Sequence, residues 1–418
     1  MTAGSIPVEL TTACADVTAA SDSDQITGVP ARYVAAPAST TEASALLLAA
    51  AGLGLTVVPR GGGRRQHWGN PPASCDLIVD TRRLDQVIEH VAGDQVLRVQ
   101  AGVPLDDVAK AVAGAEQRLA LDPPGGGTVG GVLATNAAGS LRYRYGAPRD
   151  LLIGITVVRA NGTVARSGGK VVKNVAGYDL GKLFAGSYGT LGLITEATFR
   201  LHPLPEKSEW LTLDRPNPES AADAARVIVD SPLAPSAVEL SWQTTDAPLA
   251  VSVLLEGDTP SVDVRADRMR ALFERELADS QLSHPTLAAD GTCIRLAFWA
   301  GQLARVLTTI RTAAVANELD PSINGSVGAG VLHVEIPADA VADAVARFVA
   351  ELRAGLAGLS AGSVVPSMAS AVVLYTPRQV RDAVDMWGPV PSPGLLRAVK
   401  DQFDPQRRMA PGRFAGGI

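Results

Sequence analysis

The stretch DPPGGGTVGGVLATNAAG, residues 122–139, spells a G-x-G-x-x-G at Gly125, Gly127 and Gly130. In a dinucleotide-binding βαβ unit such glycines turn a buried strand directly into a helix, and an acid about 20 residues on holds a ribose. Here Pro123 and Pro124 stand immediately before the glycines and block a regular strand. The region about 20 residues on reads RYRYGAPRD, rich in arginine and without a strand-end acid. The glycines therefore need another task, a loop whose backbone approaches something closely.

Two more glycine-dense loops lie in the same half of the chain, residues 60–70 (RGGGRRQHWGN) and 186–192 (GSYGTLG). Each can turn unhindered N–H groups toward an anion. Arg60 and Thr128 add a cation and a hydroxyl. A pyrophosphate needs several donors, so convergence of such loops on one phosphate-bearing ligand competes with three unrelated turns.

Around the loops the chain alternates short strands with helices. LTVVP, DLIVDT and VLRVQAG are β-branched and short. PLDDVAKAVAGAE reads as a helix with Pro104 at its start and acids in its first turn. LLIGITVVRANGTVAR is a hairpin turning at Asn-Gly. Near Pro205 the glycine clusters thin out, and amphipathic helices alternate with strands such as LAVSVLLEG, CIRLAF and GVLHVEIP. The expectation is an α+β protein: residues 1–206 as a ligand-binding domain, 207–375 as an α+β domain with an antiparallel sheet, and 376–418 as a segment returning to the first domain.

With 418 residues the chain exceeds one ordinary core. A hydrophobic content of 46%, 19% charged residues and a net charge of −6 describe a globular chain without a nucleic-acid-binding basic block. Three cysteines, Cys14, Cys75 and Cys293, are too few and too scattered for a disulfide framework or a four-cysteine cluster. The N-terminus lacks a basic and apolar leader pattern, and residues 43–59 are broken by Gly52 and Gly54 before reaching spanning length. A cytoplasmic protein is expected.

VVPRGGG, GTVGGVLATNAAG…RYG, KNVAGYDLGKLFAGSYGTLGLITEA and the terminal FDP…APGR occur in this order. In that they resemble FAD-binding oxidoreductases of the vanillyl-alcohol oxidase type, which have a p-cresol methylhydroxylase-like FAD domain and an α+β cap. Within that family the chain is similar to the FAD-binding E-type subunits of glycolate oxidase. The resemblance covers about residues 28–205 and the tail. It implies non-covalent FAD, with its pyrophosphate on the first two loops. Arg60, Gly61, Gly62 and Gly63 match the family's Arg-Gly-x-Gly. Arg64 and Arg65 follow where Thr-Gly is common, and are read either as phosphate partners or as solvated cations. In covalent members a histidine follows the glycines; Arg64 is there instead, and His67 is out of place. Thr128, Val129, Gly130, Gly131, Asn136, Gly139 and Gly146 match the second loop. Gly186, Ser187, Gly189, Thr190, Gly192 and Ile194 match the third, with Tyr188 in a common glutamate position. Arg413 matches the terminal Pro-Gly-Lys/Arg.

Metal-dependent relatives carry His-x-Gly-Asp-Gly-Asn-x-His on the cap, then Glu-His-Gly. The matching segment here, SVGAGVLH, keeps Gly328, Gly330 and His333 but has Ser326, Ala329 and Val331 at the other ligand positions. The later stretch reads AGSVVPSMASA. One imidazole is too few for a divalent ion, so no metal is expected. His333 is read either as a base near the flavin or as a strand histidine. Arg295 and Arg378 are the candidate carboxylate clamps; Trp299 and Tyr375 are candidate ring-stacking residues or packing. The resemblance also implies partners: a catalytic flavoprotein subunit and an iron–sulfur subunit, serving a small 2-hydroxy acid, with possible membrane association only through them. An autonomous metal-free dehydrogenase or oxidase and a non-catalytic assembly subunit are the alternatives.

Overall fold

A computed structural model describes residues 5–169, 179–274, 276–280, 290–359 and 369–418. The chain divides into two compact units. The first comprises residues 1–138, 147–204 and 389–418; the second comprises 139–146 and 205–388.

The first unit has two principal sheets. One has the order β1 (Val17–Ala19), β2 (Tyr33–Ala35), β4 (Leu77–Asp80), β3 (Val57–Arg60). β2 and β3 run parallel to β4, and β1 is antiparallel to β2. The β4 strand is buried along its whole length, as its apolar run LIV requires of a strand covered on both faces. Helix α1 (Thr40–Gly52) lies between β2 and β3 in sequence and buries Ala43, Leu46, Leu47 and Ala50 with Leu77 and Val79. Ser39 caps it by accepting from the Glu42 N–H at 3.1 Å. The second sheet is antiparallel, ordered β8 (Val164–Gly168), β7 (Leu152–Val158), β9 (Leu193–Arg200), β6 (Val96–Gln100), β5 (Val87–Val91). β7 and β8 form the expected hairpin, with the Arg159 N–H donating to Thr163 O across Asn161–Gly162. Helix α2 (Leu105–Ala113) follows Pro104, as its sequence predicts.

The G-x-G-x-x-G segment differs from expectation. Its last glycine is helical: α3 spans Val129–Thr135, so Gly130 and Gly131 lie in its first turn. No strand leads into it, and Gly125, Gly126 and Gly127 all take positive φ. Two glycines in seven residues hid this helix from propensity. Gly130 is required by packing, because a Cβ there would stand 2.8 Å from Ala101 Cβ and 3.1 Å from Ala101 O.

The second unit is built on one eight-stranded antiparallel sheet. Its order is β13 (Ala278–Ser280), β10 (Lys207–Arg215), β12 (Leu249–Gly257), β11 (Ala237–Trp242), β15 (Ser322–Ser326), β16 (Val331–Ile336), β14 (Thr292–Ala297), β17 (Ser370–Tyr375). Alternate residues, Val238, Leu240 and Trp242 among them, enter one core with helices α5 (Pro218–Asp230), α6 (Thr259–Leu272), α7 (Leu303–Ala316) and α8 (Ala342–Gly358). Helix α4 (Arg142–Tyr145) comes from the first half of the sequence but belongs to this unit, where Tyr143 packs against that core. Residues 376–388, expected with the tail, also belong here, including α9 (Arg378–Arg381); the return to the first unit begins at Pro389. Helix α10 (Pro393–Phe403) opens that return.

Candidate functional site

The three glycine loops meet in one cavity of the first unit. Residues 59–66 form one wall. Gly127, Thr128, Gly130, Gly131, Ala134 and Thr135 form a second; Tyr188, Gly189, Gly192, Leu193 and Ile194 form a third. Thr81 and Arg413 complete it, and among the described residues no acid lines it.

The charge inside is positive and unbalanced. Arg65 is buried; its Nη2 donates to Pro124 O at 2.6 Å, and its Nε is buried without a partner. Burial, helped by the neighbouring Arg64 charge, pushes its guanidinium down to about 10. Arg413 is 4% exposed, donates through Nη2 to Gln66 O (2.6 Å) and Trp68 O (3.0 Å), and leaves Nη1 buried without a partner. Burial lowers it to about 10 as well. Thr128 stands at the N-cap of α3, yet its hydroxyl makes no cap bond and is buried without a partner. Buried donors are normally satisfied, so three such groups on one cavity call for an acceptor-rich anion.

The glycines keep the walls close. A Cβ on Gly61 would collide with Thr128 Oγ1, and one on Gly131 would reach it at 3.2 Å. At Gly192 it would meet Val158 O at 2.9 Å. These residues fit a phosphate-bearing cofactor: orphaned donors, net positive charge, and main chain free to approach.

Several sequence-matched residues stand elsewhere. Arg60 lines the cavity, but its Nη1 is 2.9 Å from Asp24 Oδ1 and its Nη2 is 3.3 Å from Asp80 Oδ2. Its side chain is thus held by two carboxylates. Arg64 is exposed. Val129 is buried and absent from the lining. Asn136 takes a left-handed conformation that ends α3, and its Oδ1 accepts from the Arg149 N–H at 3.1 Å. Gly139 and Gly146 fall in the second unit. Thr190 donates its hydroxyl to Ser187 O at 2.7 Å, while its carbonyl accepts from Lys400 Nζ at 2.6 Å.

The sequence reading left out Tyr188, Gln66, Thr81, Gly127 and Ala134 as lining residues. Tyr188 was the legible one: it replaces a family glutamate, has positive φ, and packs 5.9 Å from Phe414 centroid to centroid. An aromatic there removes a negative charge from a cavity that collects positive ones.

In the second unit the register places Arg295 of β14 directly opposite His333 of β16, and His333 opposite Asn324 of β15. Burial, then the charges of Arg295 and Arg142, push the His333 imidazole down to about 3. Arg378 is exposed at the start of α9, six positions past Val372, the partner of Arg295 on β17. Gly328 and Gly330 have packing reasons: Tyr143 Cδ2 would lie 2.6 Å from a Cβ on Gly328, and one on Gly330 would strike Phe298 O. Trp299 is 60% exposed, and Tyr375 is buried. His90 Nε2 is 2.9 Å from Gln117 Oε1. His284 and most of AGSVVPSMASA lie outside the described residues. All three cysteines are free and buried, and burial raises each thiol above its ordinary range. Among the described residues no group of three or more His, Cys, Asp or Glu is placed to hold a metal, and no helix is long and apolar enough to cross a membrane.

Residues 31–168 match the FAD binding domain family. The chain is 36% identical over 217 residues to glycolate oxidase subunit GlcD of Bacillus subtilis, covering 51% of this chain and 46% of that protein. It is 34% identical over 209 residues to a D-lactate dehydrogenase of Archaeoglobus fulgidus, covering 49% and 46%. The chain thus spans about half the length of the curated relatives it matches. Among solved structures, p-cresol methylhydroxylase with substrate bound aligns with a TM-score of 0.75 at 15% identity, over 97% of this chain and 95% of that one. The 4-ethylphenol oxidase of Gulosibacter chungangensis aligns at 0.71 and 16%, with the same coverages. Residues 31–168 thus match an FAD-binding domain, and the chain has the α+β fold of p-cresol methylhydroxylase.

Proposed function

We propose that this chain is the FAD-holding subunit of an oxidoreductase that acts on small 2-hydroxy acids, passing electrons between a catalytic flavoprotein subunit and an iron–sulfur subunit. The observation that carries the FAD reading is the pair of buried guanidiniums, Arg65 and Arg413, beside the orphaned Thr128 hydroxyl. Glycolate oxidase and D-lactate dehydrogenase among the relatives support the substrate class.

Bound FAD supplies an isoalloxazine that accepts a hydride or electrons. Arg65, Arg413 and Thr128 hold its diphosphate by charge and hydrogen bonds. Gly61, Gly131 and Gly192 let the main chain close around it. A second reading, an autonomous dehydrogenase, draws on the adjacency of Arg295 and His333, a cation for a carboxylate beside a group able to take a proton.

An anaerobic visible spectrum of the purified chain, before and after glycolate and D-lactate, tests both. We expect a flavin band that acid precipitation releases into solution and that neither acid bleaches until the partner subunits are added. A chain that takes up no FAD sinks the flavin reading. Bleaching in the isolated chain sinks the relay role and leaves the autonomous enzyme.

A further inference from the structure

Helix α10 reads PGLLRAVKDQF, with apolar residues at 395, 396, 399 and 403, a stripe at helical spacing. Of its 11 residues only Lys400 is buried, and Leu395 is 64% exposed. Leu395, Leu396 and Val399 instead line a second cavity of the first unit, an open groove of about 870 Å³. Leu180 and Leu183 of the one-turn 3-10 helix Leu180–Leu183 also line it, 50% and 40% exposed, with Leu191, Phe414 and Ile418. Ser187 and Thr190 lie there too, but spend their hydroxyls on Phe184 O and Ser187 O. The two helical walls are fixed to the same frame. Phe184, the next residue after Leu183, meets Phe403 edge-to-face with centroids 5.4 Å apart, and Lys400 ties α10 to Thr190 O at 2.6 Å. Leucines gathered around a fixed groove, and left in water, mark a binding surface. Among the described residues the charged groups of the lining are Arg149, Lys182 and Asp179. Asp179 lies 3.6 Å from Lys182, whereas the exposed Arg149 has no side-chain partner among the described residues.

We propose that this groove binds a single-chain amphiphile with a carboxylate head, the leucines taking the apolar chain and Arg149 the head. The volume lies within the range of about 300–1,000 Å³ that small-ligand pockets span. An α-helix of a partner is about 10 Å across with its side chains, so three turns fill roughly 1,300 Å³, more than the groove offers. The charge selects the head. Two cations against one acid leave a single positive charge, which a monoanion matches, and the planar guanidinium of Arg149 offers a carboxylate two parallel bonds. The site is distinct from the cavity assigned to FAD, on the other side of the third glycine loop. Ser187 and Thr190 line the groove, while Tyr188 and Gly189 between them line the cavity. Phe414 on the groove packs against Tyr188, and Arg413 next to it enters the cavity. Occupation of the groove therefore depends on this chain's own walls and not on bound flavin.

The test is calorimetric titration of the full chain with dodecanoate, kept below its micelle concentration. We expect one molecule per chain with a Kd on the order of 10 µM, the same with and without flavin. Dodecanol, the same chain without the charge, should bind about tenfold more weakly. Arg149→Gln should weaken dodecanoate by about threefold to tenfold and leave dodecanol unchanged. Leu395→Glu changes an exposed position and sets an acid against the anion, so it should abolish dodecanoate binding at an unchanged melting temperature. Should that variant not fold, Leu183→Gln should weaken both probes alike. Absence of dodecanoate binding overturns the proposal, as does equal affinity for dodecanol, or binding that survives Leu395→Glu. A chain that floats with phosphatidylglycerol vesicles yet ignores monomeric dodecanoate overturns it in favour of a membrane surface. A dimer that Leu395→Glu splits, with no dodecanoate bound, overturns it in favour of a second copy of this chain.

Discussion

A guanidinium taken out of water without a carboxylate beside it is a cost the fold carries for something it binds. Arg413 and Arg65 are two such groups on one cavity, whose side-chain hydrogen bonds go to carbonyl oxygens. Arg413→Met should weaken FAD binding by about tenfold to a hundredfold, the loss of charge-assisted bonds to phosphate. The same substitution should leave the flavin-free chain as stable or more so, since it removes a buried charge. Flavin fluorescence titration paired with melting of both forms checks this. Equal loss of stability with and without FAD would make Arg413 a structural residue. Gly61→Ala and Gly130→Val separate two uses of glycine. The first sets a methyl against Thr128 Oγ1 inside the cavity, and should give soluble chain with lowered FAD content. The second drives a side chain into Ala101, and should lower soluble yield itself. At this scale the motif was legible in sequence but the division of labour was not. Arg60 is the motif's own arginine, yet Asp24 and Asp80, 36 and 20 positions away, occupy its guanidinium. Only the folded chain reveals that pairing.

Helix α10 and the tail behind it act as a clamp on the third glycine loop. Lys400 is fully buried, and its three N–H donors are all used, on Thr190 O (2.6 Å), Asp404 Oδ2 (2.8 Å) and Met409 O (2.9 Å). Asp404 in turn accepts from the Arg408 and Met409 N–H groups. Lys400→Met breaks a buried ion pair and leaves the Thr190 carbonyl without this donor, so it should cost about 3 kcal/mol or more of stability. Chemical denaturation read at the loop and at the second unit checks it; an unchanged unfolding midpoint would refute the clamp. Elements with a plain hydrophobic period were legible: the Asn-Gly hairpin, α2 behind Pro104, and the long amphipathic helices of the second unit. Two were not. Helix α3 begins with Val-Gly-Gly, which propensity scores as loop, and packing against Ala101 overrides that. The crossing of residues 139–146 into the second unit has no compositional mark, because Tyr143 and Gly328 meet only through tertiary contact.

At the scale of the whole chain, the first unit is sewn from three separate stretches, and the last one supplies what the family-matched region lacks. Residues 31–168 contain the first two glycine loops, but neither Arg413 nor Lys400. The tail also bridges to β3 at one position: the Val57 N–H donates to Arg408 O at 2.8 Å, and the Ala410 N–H to Val57 O at 2.8 Å. A chain ending at Gly388 should therefore keep the second unit, whose boundaries it respects, and lose flavin. It forfeits an edge pairing of β3, the Lys400 anchor and one of the two uncompensated guanidiniums together. Supplying residues 389–418 as a separate peptide should restore part of the flavin binding, because the contacts are non-covalent and only the effective concentration has changed. Peptide carrying Arg413→Met should restore the fold signal without the flavin. If the shortened chain holds FAD as well as the full one, the diphosphate does not rest on Arg413, and Arg65 with Thr128 must carry it alone.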